Sequence, residues 1–433
     1  MNVYAVAVRG IRSAPRPVLQ EPPFYFSTRE RYIYAVTWPT RDEVSLTWEN
    51  RHQNYSVVSV CEALSGRCSD SLVMTSPGGW LELEEAPVYT KDGRRFAMAL
   101  SANGYKQVNV VNRDTNQRVP ITSGNMVVTN IYHWDEVNHE IYFKATKENS
   151  PGERHLYKVT DFQSGQPGLV TCLSCEELNT RGGACGYNSF EFSSDKSFYA
   201  MSCNGPHVPQ VYLYETNPNQ RTAILVDNAK LSADLAAKSL PKVSNLNIPV
   251  DGGKYQAKVR LYLPPDFSES KRYPLVINVY GGPNSQQVND RFKLDWGTYL
   301  TTSEGVIYGL IDGRGSGFKV RVDQEKREMS TFCTQGDDML HEIYYNIGIV
   351  EVQDQIDVTE QLINLYPFID KSRVAIWGWS YGGFVTASVL ARDADQNNIF
   401  QCGISVAPVT NWIYYDSIYT ERLAVVTEAQ LFS

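Results

Sequence analysis

The feature that most constrains this chain is a short glycine-rich turn. Gly378-Trp-Ser380-Tyr-Gly382-Gly383 is preceded directly by an apolar strand, Arg373-Val-Ala-Ile-Trp377, and followed directly by a helix, Phe384–Arg392. A strand that passes into a helix over so few residues must turn sharply, and the serine at the apex takes strained backbone angles. Glycines two residues to either side are needed because a Cβ at those places would collide with the turn. Gly383 lets the helix begin close to the strand. In this setting the Ser380 Oγ stands above the strand ends, beside the positive end of a helix. The rival reading is a buried structural serine in a glycine-rich turn. The strand-and-helix context favours a nucleophile, with the Tyr381 backbone N–H as one oxyanion donor.

The flanking sequence has the texture this turn requires. Pro274–Tyr280 is a buried strand ending in Gly281-Gly-Pro283, and Val306–Ile311 is another, ending in Asp312-Gly-Arg-Gly-Ser-Gly317. Gln353–Tyr366 has helical periodicity, and Cys402–Val406 is a last strand. Residues 237–433 therefore predict a parallel α/β sheet. Tyr280 stands at a strand end where a second oxyanion donor belongs, through its hydroxyl; an aromatic packed on the core is the alternative.

Residues 1–236 read differently, as strand after strand with polar turns between. Val44–Trp48, Phe96–Leu100, Ile141–Ala145 and Phe198–Ser202 recur with starts 52, 45 and 57 residues apart. Repetition at this period, with several strands to a unit, predicts about four propeller blades; a β-sandwich is the competing fold. Residue 1 reads as though inside a strand.

Composition excludes a few classes. A net charge of −8 argues against a nucleic-acid binder. No apolar run approaches the length of a membrane span, and Met1–Val8 is too short for a signal segment. Cys61/Cys68, Cys172/Cys175 and Cys185/Cys203 are close pairs among eight cysteines. Cys172-Leu-Ser-Cys175 has redox or zinc spacing, but no second such pair exists, so three short-range disulfides in an oxidising compartment are the preferred reading. Asn54-Tyr-Ser56 is a glycosylation sequon pointing the same way. No metal or cofactor site is expected.

Gly378–Gly383, Asp312–Gly317, Val352-Gln-Asp-Gln355, Ala407-Pro-Val-Thr-Asn-Trp412 and Tyr415–Arg422 together resemble the dipeptidyl peptidase IV branch of the prolyl oligopeptidase family. Gln53–Ser56 and Thr171–Cys175 extend the resemblance into the strand-rich half. It implies a β-propeller joined to an α/β-hydrolase domain, and serine-type release of dipeptides after a penultimate Pro or Ala. It implies Ser380 as nucleophile and Tyr280 as oxyanion donor. Tyr381, Val409, Trp412, Tyr415 and Tyr419 become the pocket for the proline ring. Trp412, Tyr415 and Tyr419 also lie at i, i+3 and i+7, one face of a helix. The resemblance further implies peptide substrates, an extracellular or cell-surface location, and homodimers in full-length members. Asp312, Arg314 and Asp354 read as structural.

Several departures stand out. All six histidines, His52, His133, His139, His155, His207 and His341, precede Ser380, whereas the family's triad runs Ser, Asp, His along the chain. These 433 residues are therefore expected to be inactive by themselves. The family's glutamate pair for the substrate amine is not recognisable, since Glu84-Glu85 and Glu176-Glu177 sit in the wrong contexts. The Phe-Arg pair expected after Gly79-Trp80 is replaced by Leu-Glu-Leu-Glu-Glu. Val320–Gln335 has no family counterpart and reads as retained intron sequence forming a surface loop without catalytic role; the resemblance also stops at Leu423. Two function classes follow: a serine dipeptidyl peptidase, or a non-catalytic ectodomain of the same family acting as a binding or regulatory protein. A general esterase is a third reading, which the strand-rich half disfavours.

Overall fold

A computed structural model describes residues 31–83, 85–319, 336–396 and 398–423. The start of the chain, Glu84, the whole of 320–335 with Cys333, and residues 424–433 lie outside the described residues.

Four four-stranded sheets come first, each a meander of consecutive strands. The first is β1 (Arg31–Thr40), β2 (Glu43–Asn50), β3 (Tyr55–Glu62) and β4 (Cys68–Thr75). The second is β5 (Val88–Tyr89), β6 (Arg95–Ala102), β7 (Tyr105–Asn112) and β8 (Gln117–Pro120). The third is β9 (Val128–Asp135), β10 (Glu140–Lys147), β11 (Ser150–Thr160) and β12 (Val170–Cys172). The fourth is β13 (Asn188–Phe192), β14 (Phe198–Cys203), β15 (Gln210–Glu215) and β16 (Gln220–Val226). These are propeller blades, and the four recurrent runs read from the sequence are β2, β6, β10 and β14, the second strand of each. That position explains their visibility. β2 is buried along its length apart from its two end residues, packing Val44, Leu46 and Trp48 with Val57 and Cys61. The outer β8 and β16 are almost wholly exposed, so no burial pattern is imposed on them.

Disulfides close two of these loops. Cys61 and Cys68 are register partners on β3 and β4 and are bonded, as are Cys185 and Cys203. Cys172 and Cys175 are also disulfide-bonded. Among the described residues Cys402 is free and exposed.

The second architecture follows α1 (Ala229–Ala236). It is a six-stranded sheet of β17 (Lys242–Val250), β18 (Tyr255–Leu263), β19 (Tyr273–Val279), β20 (Ile307–Asp312), β21 (Ile369–Trp379) and β22 (Cys402–Val406). The order is β17-β18-β20-β19-β21-β22. β20, β19, β21 and β22 pair in parallel, while β17 and β18 form an antiparallel hairpin added to β20. The sheet is thus mixed rather than purely parallel. The hairpin's signal was present in the alternation Ile248, Val250, Tyr255, Ala257, Val259, Leu261 about an Asp-Gly-Gly turn. α2 (Trp296–Ser303) covers one face, where Leu300 packs with Val276, Tyr308, Leu310 and Trp377. α5 (Tyr381–Ala394) packs on β19, β21 and β22, and α4 (Val350–Leu365) packs on α5. The short α3 (Asp337–His341) and α6 (Ser417–Leu423) complete the elements.

Compactness divides the chain differently from this change of texture. Of the described residues, one unit holds those of 31–145, 157–172 and 417–422; the other holds those of 146–156 and 173–416, with Leu423. In the second unit Arg314 forks onto Asp354 of α4, with Nη2 donating at 2.6 Å and its backbone N–H at 2.7 Å. Asp312 accepts the Gln287 and Val288 N–H groups, each at 2.9 Å, and pairs with buried Lys319 at 3.0 Å. These four charged residues brace the loops around the strand ends.

Candidate active site

Ser380 has φ 59° and ψ −117°, a region that a residue with a Cβ enters only when its surroundings impose it. The imposition is visible. A Cβ on Gly378 would lie 2.3 Å from the Gly382 carbonyl oxygen, and one on Gly382 would lie 2.1 Å from that of Val279. A Cβ on Gly383 would lie 2.6 Å from the Val406 oxygen. The elbow is therefore wedged between the ends of β19 and β22. The Ser380 N–H donates to Val406 O at 3.0 Å, and the Phe384 N–H donates to Ser380 O at 3.1 Å. Ser380 is half-buried at the N-terminus of α5, where the unpaired amides and the dipole favour developing negative charge.

Tyr381, the next residue, is 2% exposed. Its hydroxyl donates to Glu351 Oε1 at 2.7 Å, and the Gly348 N–H donates to the same oxygen at 2.5 Å. Burial pushes the Glu351 carboxyl above its ordinary range, opposed by these hydrogen bonds. Tyr280 caps β19 with its ring centroid 6.1 Å from that of Tyr381. Its N–H is already engaged, donating to Gln287 Oε1 at 2.9 Å. That leaves the hydroxyl as the group able to face a substrate. Partial burial, and then the neighbouring Tyr415, push this phenol upward, so it stays protonated and able to donate at neutral pH. Gln287 is itself set by its Nε2, which donates to Asn278 Oδ1 at 2.5 Å. Neither Gln287 nor Glu351 was singled out from the sequence. An acid on the buried face of a helix beside Val352 and Ile356 was the available signal for Glu351.

The apolar wall is partly assembled within this unit. The Trp412 ring lies 5.6 Å from Tyr381, 5.3 Å from Phe384 and 5.8 Å from Tyr415. Val409 is half-buried and follows Pro408, which lies against Gly383. The expected helical stripe is corrected. Trp412–Tyr414 is a single 3-10 turn, begun by the Asn411 side chain accepting from the Ile413 N–H. Tyr415 is extended at φ −89° and ψ 172°, and α6 starts afresh at Ser417. Tyr419 lies on α6 in the first unit, its ring beneath the Arg422 guanidinium at 5.8 Å. There Glu421 of α6 accepts from Tyr32 at 2.5 Å and from Arg51 Nε at 2.6 Å. Trp379, beside the serine, is 62% exposed. A raised serine, an adjacent helix N-terminus, a phenol donor and a ring-lined wall suit nucleophilic attack on a carbonyl next to a small apolar group.

Comparison with known proteins agrees with this geometry. The family model for the dipeptidyl peptidase IV N-terminal region matches residues 2–210, and that for the prolyl oligopeptidase family matches residues 333–430. The second match runs past Leu423, so the resemblance does not stop there; residues 211–332 fall in neither match, and 333–335 of the expected insertion fall within the second. Venom dipeptidyl peptidase 4 of Vespula vulgaris is 36% identical over 408 residues, covering 92% of this chain and 49% of that protein. Dipeptidyl peptidase 4 of Sus scrofa is 37% identical over 410 residues, covering 93% and 50%. The crystal structure of Porphyromonas gingivalis dipeptidyl peptidase 4 superposes with a TM-score of 0.78 at 28% identity, covering 93% of this chain and 52% of that one. The chain spans about half the length of the curated relatives it matches. With blades, sheet order and serine elbow all in place, the chain belongs to the prolyl oligopeptidase family, in its dipeptidyl peptidase IV branch.

Proposed function

We propose that these residues carry the nucleophile and oxyanion half of a serine dipeptidyl peptidase site acting on peptides with a penultimate Pro or Ala. The observation that carries this reading is the backbone of Ser380, held at φ 59° between two strand ends. In the mechanism, Ser380 Oγ attacks the carbonyl of the second residue, and its proton passes to a general base. The carbonyl oxygen becomes an oxyanion, accepted by the Tyr381 N–H and the Tyr280 hydroxyl. Tyr381, Val409, Trp412 and Tyr415, which share one unit, receive the proline ring. The three disulfides and glycosylation at Asn54 suit an extracellular or cell-surface protein. Among the described residues no helix is long and apolar enough to cross a membrane.

No histidine follows Ser380 in these 433 residues, and by themselves they are proposed to lack turnover. Gly-Pro-p-nitroanilide and a simple p-nitrophenyl ester separate the readings. The 433-residue chain should hydrolyse neither faster than its Ser380→Ala variant. The longest product of the transcript encoding it should cleave the Gly-Pro amide and lose that activity on Ser380→Ala. Ester cleavage alone would indicate a general esterase. Inactivity of the longest product on both would indicate the non-catalytic binding ectodomain.

A further inference from the structure

We propose that Glu351 is a positioning residue for the oxyanion hole, acting through Tyr381. This rests on the reading of Tyr381 as an oxyanion donor given above. Glu351 is 1% exposed in the first turn of α4. Its Oε1 takes both the Tyr381 hydroxyl and the Gly348 N–H, while its Oε2 has no hydrogen-bond partner among the described residues. The other oxyanion segment lies over the same side chain. Gly281, at φ 73° directly after Tyr280, places its missing Cβ 3.4 Å from Val385 and 4.0 Å from the Glu351 Cγ. One buried acid thus lies beneath both Tyr280-Gly281 and Tyr381.

Packing alone does not call for this arrangement. A phenylalanine over an apolar residue would fill the same space without burying a carboxyl, and such replacements are commonly neutral or stabilising. What the polar pair adds is direction. Tyr381 is held at its backbone end by the Ser380 turn and at its ring tip by Glu351, so its peptide N–H has little freedom to swing away from the oxyanion position. The acid is in turn fixed, because α4 is anchored one turn later by Asp354 and its fork with Arg314. Preorganised donors of this kind carry a large share of transition-state stabilisation.

Hydrogen exchange at residues 378–385 of the 433-residue chain tests the positioning directly. Glu351→Ala should speed exchange of this segment about tenfold, as local opening becomes easier. Glu351→Gln keeps an acceptor for both donors and should stay within about threefold of the parent. Should Glu351→Ala fail to fold, Tyr381→Phe removes a single oxygen and should give the same acceleration. Unchanged exchange in both Glu351→Ala and Tyr381→Phe would overturn the proposal. A ligand pair then separates positioning from general loosening. Glycyl-boroproline forms a tetrahedral adduct whose oxygen needs the oxyanion donors, whereas glycyl-pyrrolidide carries no such oxygen. Both variants should weaken the boronate about tenfold and the pyrrolidide less than about twofold. Equal weakening of the two ligands would also overturn it. If neither ligand binds the unaltered chain, the proposed function fails and the exchange measurement alone decides on Glu351.

Discussion

Gly378 and Gly382 flank Ser380 at places where an added Cβ would meet backbone carbonyls that cannot move aside. Gly382→Ala should therefore cost about 2–4 kcal/mol of stability. Gly78→Ala, where nothing lies within 4 Å, should change stability by less than about 0.5 kcal/mol. Denaturant unfolding of both variants checks the contrast, and equal effects would refute the wedged elbow. Glu49 of β2 gives a pH-dependent prediction. It is 1% exposed, and its Oε1 has no hydrogen-bond partner among the described residues. Burial pushes its carboxyl from 4.5 up to about 8, with Arg422 pulling it back and Glu82 adding to the rise. The folded chain thus holds this proton more tightly than the unfolded chain. The resulting stability is fully present below about pH 4.5 and is lost as pH rises through about 8. Glu49→Gln should match the parent near the lower limit and exceed it by about 1–3 kcal/mol above the upper one. Thermal unfolding at the two pH values checks the sign. A less stable Gln variant at high pH would mean that the pairing with Arg422 outweighs desolvation.

Elements differ in how plainly the sequence announces them. β2, β6, β10 and β14 were legible because an interior strand must be apolar over most of its length. β22 was read to the residue because the elbow fixes the strands around it. The hairpin of β17 and β18 went unread although its alternation and turn are in the sequence, because the strands flanking the elbow announce only a parallel sheet. The Trp412, Tyr415 and Tyr419 spacing suggested one helix, and the extended Tyr415 shows that spacing alone cannot see a break after a single 3-10 turn. Motif and place in the sequence singled out Ser380, Tyr280 and Tyr381, which the fold puts beside one another. Glu351 and Gln287 were not singled out, since each meets that group through a hydrogen bond that only the fold forms. The disulfides belong to this scale as well. Closing separations of 7 and 18 residues, Cys61–Cys68 and Cys185–Cys203 should contribute about 2.5 and about 3 kcal/mol by loop entropy. Paired Cys→Ala variants in urea test those values. A larger loss from the shorter loop would show that packing around the sulfurs, not chain entropy, dominates.

Across the whole molecule the two architectures carry different kinds of information. The blades are specified redundantly by repetition, whereas the sheet of β17 to β22 is organised around one turn that glycines and neighbouring strands force upon a serine. Among the described residues each architecture has a strand with one unpaired edge. Among the described residues β16 exposes Ile224, Leu225 and Val226, and β22 exposes Ile404. Exposed apolar edge strands template association, so Ile404→Lys should reduce concentration-dependent self-association in sedimentation velocity. A parent chain that stays monomeric at all concentrations would contradict this. The most direct test of the serine site is boron NMR of glycyl-boroproline added to the 433-residue chain. Boron bonds to the Ser380 oxygen as the serine proton leaves to water, so no general base is required. A tetrahedral boron signal that disappears in Ser380→Ala is the expected result. Boron that stays trigonal with the parent chain, or a tetrahedral signal that survives the substitution, would contradict Ser380 as the nucleophile.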